Sequence, residues 1–241
     1  SVLATDGINT DPLARQLAGL LIKNALKPLH STEHALQKQY HDQWKQLDPT
    51  VRDSVKGPLL AAMRNPAAGV SHPAAQAAAE VAAIELPFDE WPAFLPTLME
   101  NVRGAEYDEG VKVATLECLG YACERISFLG GEVNQTSTDS MLSAIVDGSG
   151  ASRPNRLRQA AAGALKNSLM FAESNMEKPE ERNAIMNALM EATRCDDANV
   201  RIVAYDGIVQ IAILYYSKVQ DYMTNLYQLT TNTIKQDNEE V

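Results

Sequence analysis

The sequence predicts an all-α fold built from repeated pairs of helices, and three observations support this prediction. The 241-residue chain is 45% hydrophobic but only 6% aromatic, and alanine supplies much of its apolar content. This composition is typical of helices that pack closely on one another. The string RQLAGLLIKN, which begins at Arg15, returns as RQAAAGALKN at Arg158. Segments with helical periodicity fill the rest of the chain, and none has the alternation expected of a β-strand.

The two similar strings are each predicted to form an amphipathic helix. Apolar or small residues follow Arg15 and Arg158 as adjacent pairs that repeat every four residues. This spacing places them on one face of a helix, because an α-helix has about 3.6 residues per turn. In the first copy, Leu17 and Leu21 belong to that apolar face.

The same pattern recurs from Lys112 and from Arg201, where a basic residue again precedes a patch of small apolar residues. The intervals from Lys112 to Arg158 and on to Arg201 fall within the roughly 40–47 residues of HEAT and armadillo repeats. A weaker copy without the basic residue occupies 72–86. The predicted architecture is therefore a right-handed α-solenoid of HEAT repeats, with about five to six helical hairpins.

The segments between these copies carry helix signals of their own. In residues 89–103, Asp89 is the predicted N-terminal cap, and Pro92 lies in the first turn. Residues 34–47 have Leu36, Tyr40, Trp44 and Leu47 on one face and add a helix to the first connection. The remaining predicted helices cover 50–64, 137–148, 179–194 and 219–235.

We expect residues 1–241 to form a single array that is a segment of a longer protein, since the chain begins without Met. Each hairpin in such an array is stabilised by its neighbours. The first and last hairpins are therefore expected to expose apolar faces and to fray. The predicted hairpins cover roughly 11–64, 71–103, 109–148, 155–194 and 198–235.

The charge of the chain argues against nucleic acid as a partner. The net charge is −10 and the isoelectric point about 4.9, whereas phosphate binding needs clustered Lys and Arg. No apolar run approaches the roughly 18 residues of a membrane span, so no membrane partner is expected. Three cysteines without a disulfide spacing are typical of a reducing cytosolic or nuclear compartment.

The histidines and cysteines do not predict a metal site, a cofactor or an enzyme. His30 and His34 have helical spacing and His41 follows, but no carboxylate or cysteine pattern accompanies them, which favours surface histidines over metal ligands. Cys118 and Cys123 fall on the apolar face of their helix and are predicted to be buried structural thiols. Cys195 follows a helix end with no base identified near it.

Several strings are more specific than a general HEAT pattern, and their order and spacing resemble the N-terminal half of the importin-β family over essentially the whole chain. The insertion with Tyr40 and Trp44 also resembles the long second repeat of that family. By this resemblance, the chain starts about one repeat into the receptor and stops within the sixth. The strings are AGLLIKNAL at 18–26, AAIELPFDEWPAFLPTLMENV at 82–102, TLECLGYACE at 115–124, SAIVDG at 143–148, AAGALKNSLMF at 161–171, ERNAIMNALMEATRCDDANVRIVA at 181–204 and ILYYSKVQDYM at 213–223.

The resemblance implies binding of the small GTPase Ran, in its GTP form, on the concave face of the array. That face is made by the helices that contain Arg15, Lys112, Arg158 and Arg201. Lys23 lies off the apolar face in the matching IKN string, so it is a candidate Ran contact; a solvated lysine without a partner is the alternative.

The resemblance also implies weak binding of Phe-Gly repeats of nucleoporins, in a convex groove between neighbouring outer helices. Residues four apart share a helix face, which agrees with the spacing of the matching positions. Ala184 departs from the family, whose members often carry a bulky aromatic there, so we expect a wider or weaker groove. The alternative for these residues is that they only seal the core. The matching positions are Leu142, Ser143, Val146, Glu181, Ala184 and Ile185.

The implied protein is a nuclear import receptor of the cytoplasm, the nucleus and the nuclear pore complex. Binding of importin-α or cargo belongs, in this family, to later repeats that the chain lacks. A HEAT scaffold of another kind, such as a phosphatase regulatory subunit or a vesicle-coat adaptor, is the alternative. The EWP and EATRC strings and the long second repeat favour the import receptor.

Overall fold

The computed structural model describes residues 11–26, 34–65 and 69–239, and every regular element within these ranges is helical. Three short 3-10 turns, at Leu86–Phe88, Leu169–Phe171 and Gln220–Tyr222, join neighbouring helices. The α-helices are α1 (Pro12–Leu26), α2 (His34–Gln46), α3 (Pro49–Met63), α4 (Ser71–Glu85), α5 (Phe94–Arg103), α6 (Glu109–Phe128), α7 (Gln135–Gly148), α8 (Asn155–Ser168), α9 (Glu173–Glu177), α10 (Pro179–Ala192), α11 (Ala198–Leu214), α12 (Tyr216–Val219) and α13 (Met223–Glu239).

The helices form two stacked rows, which confirms the predicted α-solenoid of HEAT repeats. In one row, which we call the inner row, α1, α4, α6, α8 and α11 pack side by side in that order, and we call the other the outer row. In the outer row, α5 packs against α7 and α7 against α10, and each of these three helices also packs on the inner row. The hydrophobic core runs between the two rows along the array.

Small residues allow the inner helices to approach closely, as the repeated pattern predicts. A Cβ atom added at Gly120 of α6 would lie 3.1 Å from the Cα of Ala164 in α8. Cys118 and Cys123 are fully buried in this layer, and burial raises the pKa of the Cys123 thiol to about 12. Both thiols are therefore part of the packing.

The basic residue that opens the repeated pattern has a structural role that the sequence analysis did not identify. Arg158 and Arg201 are buried, and their guanidinium groups donate to backbone carbonyls at the end of α10 and just after it. Arg158 Nη2 lies 3.1 Å from the Glu191 oxygen, and Arg201 Nη1 lies 3.0 Å from the Cys195 oxygen. The Glu191 carbonyl lies in the last turn of α10, where a cation is stabilised, and the Cys195 carbonyl lies in the loop that follows.

Part of the apolar face of α1 is exposed, as predicted for the first hairpin of the array. Leu17 is 51% exposed and Leu21 is 70% exposed, whereas Gly19 and Leu26 are buried. The reason is that α1 is the first helix of the inner row, so no described inner helix packs on the side that faces away from α4. At the other end, α11 likewise exposes Ile202, Val209 and Ile213, as predicted for the ends of the array.

The predicted cap at Asp89 is wrong, because the helix begins at Phe94. Asp89 has a positive φ of 58° and closes the 3-10 turn by donating its backbone N–H to the Leu86 oxygen. The predicted helix 219–235 is also interrupted, since a 3-10 turn separates α12 from α13. That turn buries Tyr222, whose hydroxyl donates to Asn183 of α10.

The added helix near the start of the array is present as α2, and a buried carboxylate joins it to the inner row. Glu85 of α4 is fully buried. It accepts hydrogen bonds from Trp44 Nε1 at 2.9 Å, Arg52 Nη1 at 3.0 Å and Lys56 Nζ at 2.7 Å. One carboxylate therefore holds α2 and α3 against α4.

No single helix among the described residues combines the length and the hydropathy that crossing a membrane requires. The pair formed by α11 and residues 216–235, bent by 119° between its two parts, meets these criteria only when both parts are taken together.

Candidate functional site

A groove of about 370 Å³ runs between the outer helices α7 and α10, with α9 at one end. All six residues that the family resemblance selects line this groove. They come from segments far apart in sequence, so the stacking of neighbouring repeats brings them together. The lining residues are Asp139, Leu142, Ser143, Val146, Asp147, Asn175, Glu181, Ala184 and Ile185.

Local sequence fixes the position of both walls. The Asn134 side chain caps α7 by accepting a hydrogen bond from the Ser137 N–H at 2.8 Å. Pro179 opens α10, where its fixed φ suits the first helical position. Glu181 lies in the first turn of α10, where a negative charge is stabilised by the helix dipole.

Burial separates the groove residues into a base and a rim. Leu142 is 5% exposed and Ile185 is 2% exposed, and both belong to the hydrophobic core. Val146 is half-buried, whereas Ser143 and Ala184 are exposed. Leu142 and Ile185 therefore belong to the hydrophobic core and also form the floor of the groove.

A buried amide ties the two walls together at one end of the groove. Asn175 of α9 donates to Asp139 Oδ1 on α7 and to Glu181 Oε2 on α10, at 2.7 Å in both cases. Its own oxygen accepts a hydrogen bond from Gln135 at 3.0 Å. The Asn175 hydrogen bond holds the pKa of the Asp139 carboxyl below its usual value, so Asp139 is negatively charged at neutral pH.

Two cations neutralise other carboxylates around the groove. Arg103 Nε donates to Asp147 Oδ2 at 2.6 Å, and Arg103 Nη2 donates to Ser143 Oγ at 2.8 Å. Lys178 Nζ donates to Glu181 Oε1 at 2.9 Å, and this bond raises the pKa of Lys178. The site is thus an apolar floor with a charged, hydrogen-bonded rim, an arrangement suited to binding.

Three lining residues of the groove were not predicted from the sequence, although helical spacing identifies two of them. Asp139 lies three residues before Leu142, and Asp147 lies four residues after Ser143, so each shares a face with a selected residue. Asn175 has no such signal, because its place depends on the path of the chain through α9.

The inner face contains the candidate Ran contact. Lys23 is half-buried on α1, near His72 of the neighbouring inner helix α4. His72 Nδ1 lies 2.7 Å from Glu117 Oε2 on α6, and this hydrogen bond raises the pKa of His72 while the charge of Lys23 opposes the shift. Farther along, a shallow pocket of about 290 Å³ lies between α6 and α8.

The described residues hold no group of three or more His, Cys, Asp or Glu side chains placed to bind a metal ion. His30 and the side chain of His34 lie outside the described residues. Burial lowers the pKa of His41 to about 4, with Arg125 and Lys45 adding to the effect, so this imidazole is neutral at pH 7. The buried Cys195 thiol donates to Asn155 Oδ1 at 3.3 Å.

Comparison with known proteins identifies relatives over nearly the whole chain. Importin subunit beta-1 of Arabidopsis thaliana is 36% identical over 231 residues, which is 95% of this chain and 26% of the relative. Importin subunit beta-1 of Saccharomyces cerevisiae is 35% identical over 236 residues, or 97% of this chain and 27% of the relative. The chain thus spans about a quarter of the length of these curated relatives. No protein-family model matches the chain.

Solved structures of yeast Kap95 share the fold. A complex of Kap95 with Nup1 superposes with a TM-score of 0.82 at 34% identity, covering 97% of this chain and 27% of Kap95. A second structure is of Kap95p, whose binding induces the switch loops of RanGDP to adopt the GTP-bound conformation. It superposes with a TM-score of 0.81 at 33% identity, covering 97% of this chain and 26% of that chain.

Proposed function

Because the chain is homologous to importin subunit beta-1, we propose that it is a segment of a nuclear import receptor. Its outer groove binds Phe-Gly repeats of nucleoporins, and its inner face binds Ran-GTP. The receptor works in the cytoplasm, in the nucleus and at the nuclear pore complex. The observation that carries the proposal is the groove between α7 and α10, around which all six selected residues converge.

The groove offers the apolar surface that binding of a single Phe side chain requires. Its floor is apolar at Leu142 and Ile185, and its half-buried wall at Val146 adds further apolar surface. Burying one Phe side chain contributes about 1.5–3 kcal/mol, less than the roughly 4.1 kcal/mol of a millimolar site. Single engagements are therefore brief, and many linked repeats provide retention. A receptor that must both enter and leave a pore needs this combination.

Binding of Ran-GTP belongs to the inner face in this proposal. Two features support it: the inner helices form one continuous row, and a protein 33% identical to this chain acts on the switch loops of Ran. Lys23 is the residue that we assign to the contact. We assign importin-α and cargo to later repeats, and we assign no cargo to the described surface.

The alternative function, a HEAT scaffold for a phosphatase or a vesicle coat, is less well supported. Identity of 34–36% to importin subunits extends over 95–99% of the chain. A shared repeat period alone does not account for identity of this extent.

The division into hairpins stays a prediction, because α7 and α10 each contact both the preceding and the following inner helix.

The experiment that tests the groove is a titration of the protein with a peptide of linked Phe-Gly repeats. Leu142 and Ile185 are buried, so a charge at either position would disturb folding. Val146→Asp is the better variant, because Val146 is half-buried in the wall of the groove. We expect this variant to weaken binding about tenfold or more, since it replaces apolar contact with a charge.

The matched control is Val209→Asp, the same substitution at a residue of α11 that is 55% exposed. It should leave peptide binding unchanged, and both variants should keep their helical circular dichroism. A peptide with every Phe replaced by Ser should not bind. Equal binding of the Phe and Ser peptides, or an equal loss in both variants, would remove the groove assignment.

A further inference from the structure

The two ends of the groove differ in charge. At the end near Ser143, Asp147 is paired with the guanidinium of Arg103. At the other end, Asn175 holds Asp139 and Glu181 side by side, one from each wall. Lys178 pairs with Glu181 there, and its charge also acts on Asp139 from a greater distance. The hydrogen bonds to Asp139 come from the uncharged amides of Gln135 and Asn175. One negative charge at this end is therefore left without a cation bonded to it.

Asp139 is also placed to receive a donor from a bound peptide. Both amides donate to its Oδ1 atom, and within the described part of the chain no hydrogen bond or ion pair involves Oδ2. The residue is exposed, lines the groove, and lies one helical turn before Leu142 on the floor. One turn advances a helix by about 5.4 Å, and adjacent peptide residues are about 3.8 Å apart. A side chain one or two residues from a Phe seated over Leu142 thus reaches Asp139.

We propose that Asp139 makes this groove selective for Phe-Gly segments with a Lys or Arg one or two residues from the Phe. This inference rests on the proposed function of the groove and names the segments that it prefers. Asn175 positions the carboxylate by fixing one of its oxygens, which leaves the other oriented for the ligand. The acidity of the whole chain, with its net charge of −10, acts in the same direction but is not specific to the groove.

The test compares three single-repeat peptides that differ only in the residue beside the Phe, which is Lys, Gln or Glu. Binding to the protein is measured by NMR titration of amide shifts at about 0.02 M and about 0.5 M salt, because ionic screening removes interactions between exposed charges. We expect the Lys peptide to bind about two- to fivefold more tightly than the Glu peptide at low salt, as for one exposed ion pair. The difference should disappear at high salt.

Two variants separate the local charge from the overall charge. Asp139→Asn keeps an oxygen that accepts from the two amides, and it should abolish the preference for the Lys peptide over the Glu peptide. Asp196→Asn makes the same charge change in the exposed loop after α10, and it should leave the preference intact. A preference that survives in Asp139→Asn, or that is absent from the native protein, would overturn the proposal. Failure of all three peptides to bind better than a Ser-for-Phe peptide would instead overturn the groove function itself.

Discussion

Ala184 places only a methyl group at the rim of the groove, where the family resemblance leads us to expect a bulky aromatic side chain. Ala184 is exposed, whereas the neighbouring Ile185 is buried in the floor. A Phe ring bound over the floor therefore keeps one edge in water. Because hydrophobic stabilisation is proportional to the apolar area removed from water, this edge lowers the affinity for each repeat.

Ala184→Phe is expected to tighten binding of Phe-Gly peptides by about three- to tenfold, because it adds an aromatic wall to the groove. The affinity is measured by the same peptide titration. Ala198→Phe, at the exposed first position of α11, is the matched control and should have no effect. Weaker binding in the Ala184 variant would mean that the added ring fills the groove and does not extend it.

At the scale of the elements, helical periodicity predicted most of the array. The predicted helices 137–148 and 179–194 correspond to α7 (Gln135–Gly148) and α10 (Pro179–Ala192). Spacing within each of these helices also placed Leu142 with Val146, and Glu181 with Ile185. Such predictions succeed because they depend on residues within two turns of one another.

The features that sequence did not predict depend on distant parts of the chain. The amide of Asn175 bridges two helices, and the start of α5 at Phe94 follows from a turn that places Asp89 at positive φ. The burial of Arg158 and Arg201 depends on carbonyls at the end of α10. Helical periodicity describes residues within one element, so it does not predict these contacts between elements. For this reason the sequence suggested a cap at Asp89 and no role for the two arginines.

The buried carboxylate of Glu85 gives a prediction about how α2 and α3 are attached. We expect Glu85→Gln to lower the free energy of unfolding by about 2–3 kcal/mol, because Lys56 and Arg52 then lose a charged, buried acceptor. Urea denaturation followed by circular dichroism measures the change, and hydrogen exchange should show faster opening of α2 and α3.

The control for Glu85 is Glu100→Gln, which removes an exposed ion pair with Arg64. Its cost should stay below about 1 kcal/mol, as is usual for exposed pairs. If the two variants lose the same small amount, the buried network makes no net contribution to stability.

At the scale of the whole molecule, the two proposed partners use opposite faces of one array. Ran-GTP binds the inner row in this proposal, and nucleoporin repeats bind between two outer helices. Lys23→Ala should weaken binding of Ran-GTP by up to about fivefold, the effect of losing one exposed ion pair. Fluorescence titration with Ran loaded with a non-hydrolysable GTP analogue measures this affinity.

Lys38→Ala is the matched control for Lys23, since Lys38 is an exposed lysine of α2. It should bind Ran-GTP as the native protein does, and neither variant should change Phe-Gly binding. An equal loss in both lysine variants would show that overall charge, and not Lys23, governs the association.

The close approach of α6 and α8 at Gly120 limits how far these two helices can move toward each other. A Cβ atom added at Gly120 would lie 3.1 Å from the Cα of Ala164, so the inner row has little room to shorten between these two repeats. We expect bending of the array to change the spacing of the outer row more than that of the inner row, because the inner helices are already closely packed. The walls of the groove belong to the outer row, so we expect the width of the gap between α7 and α10 to change with the curvature of the array.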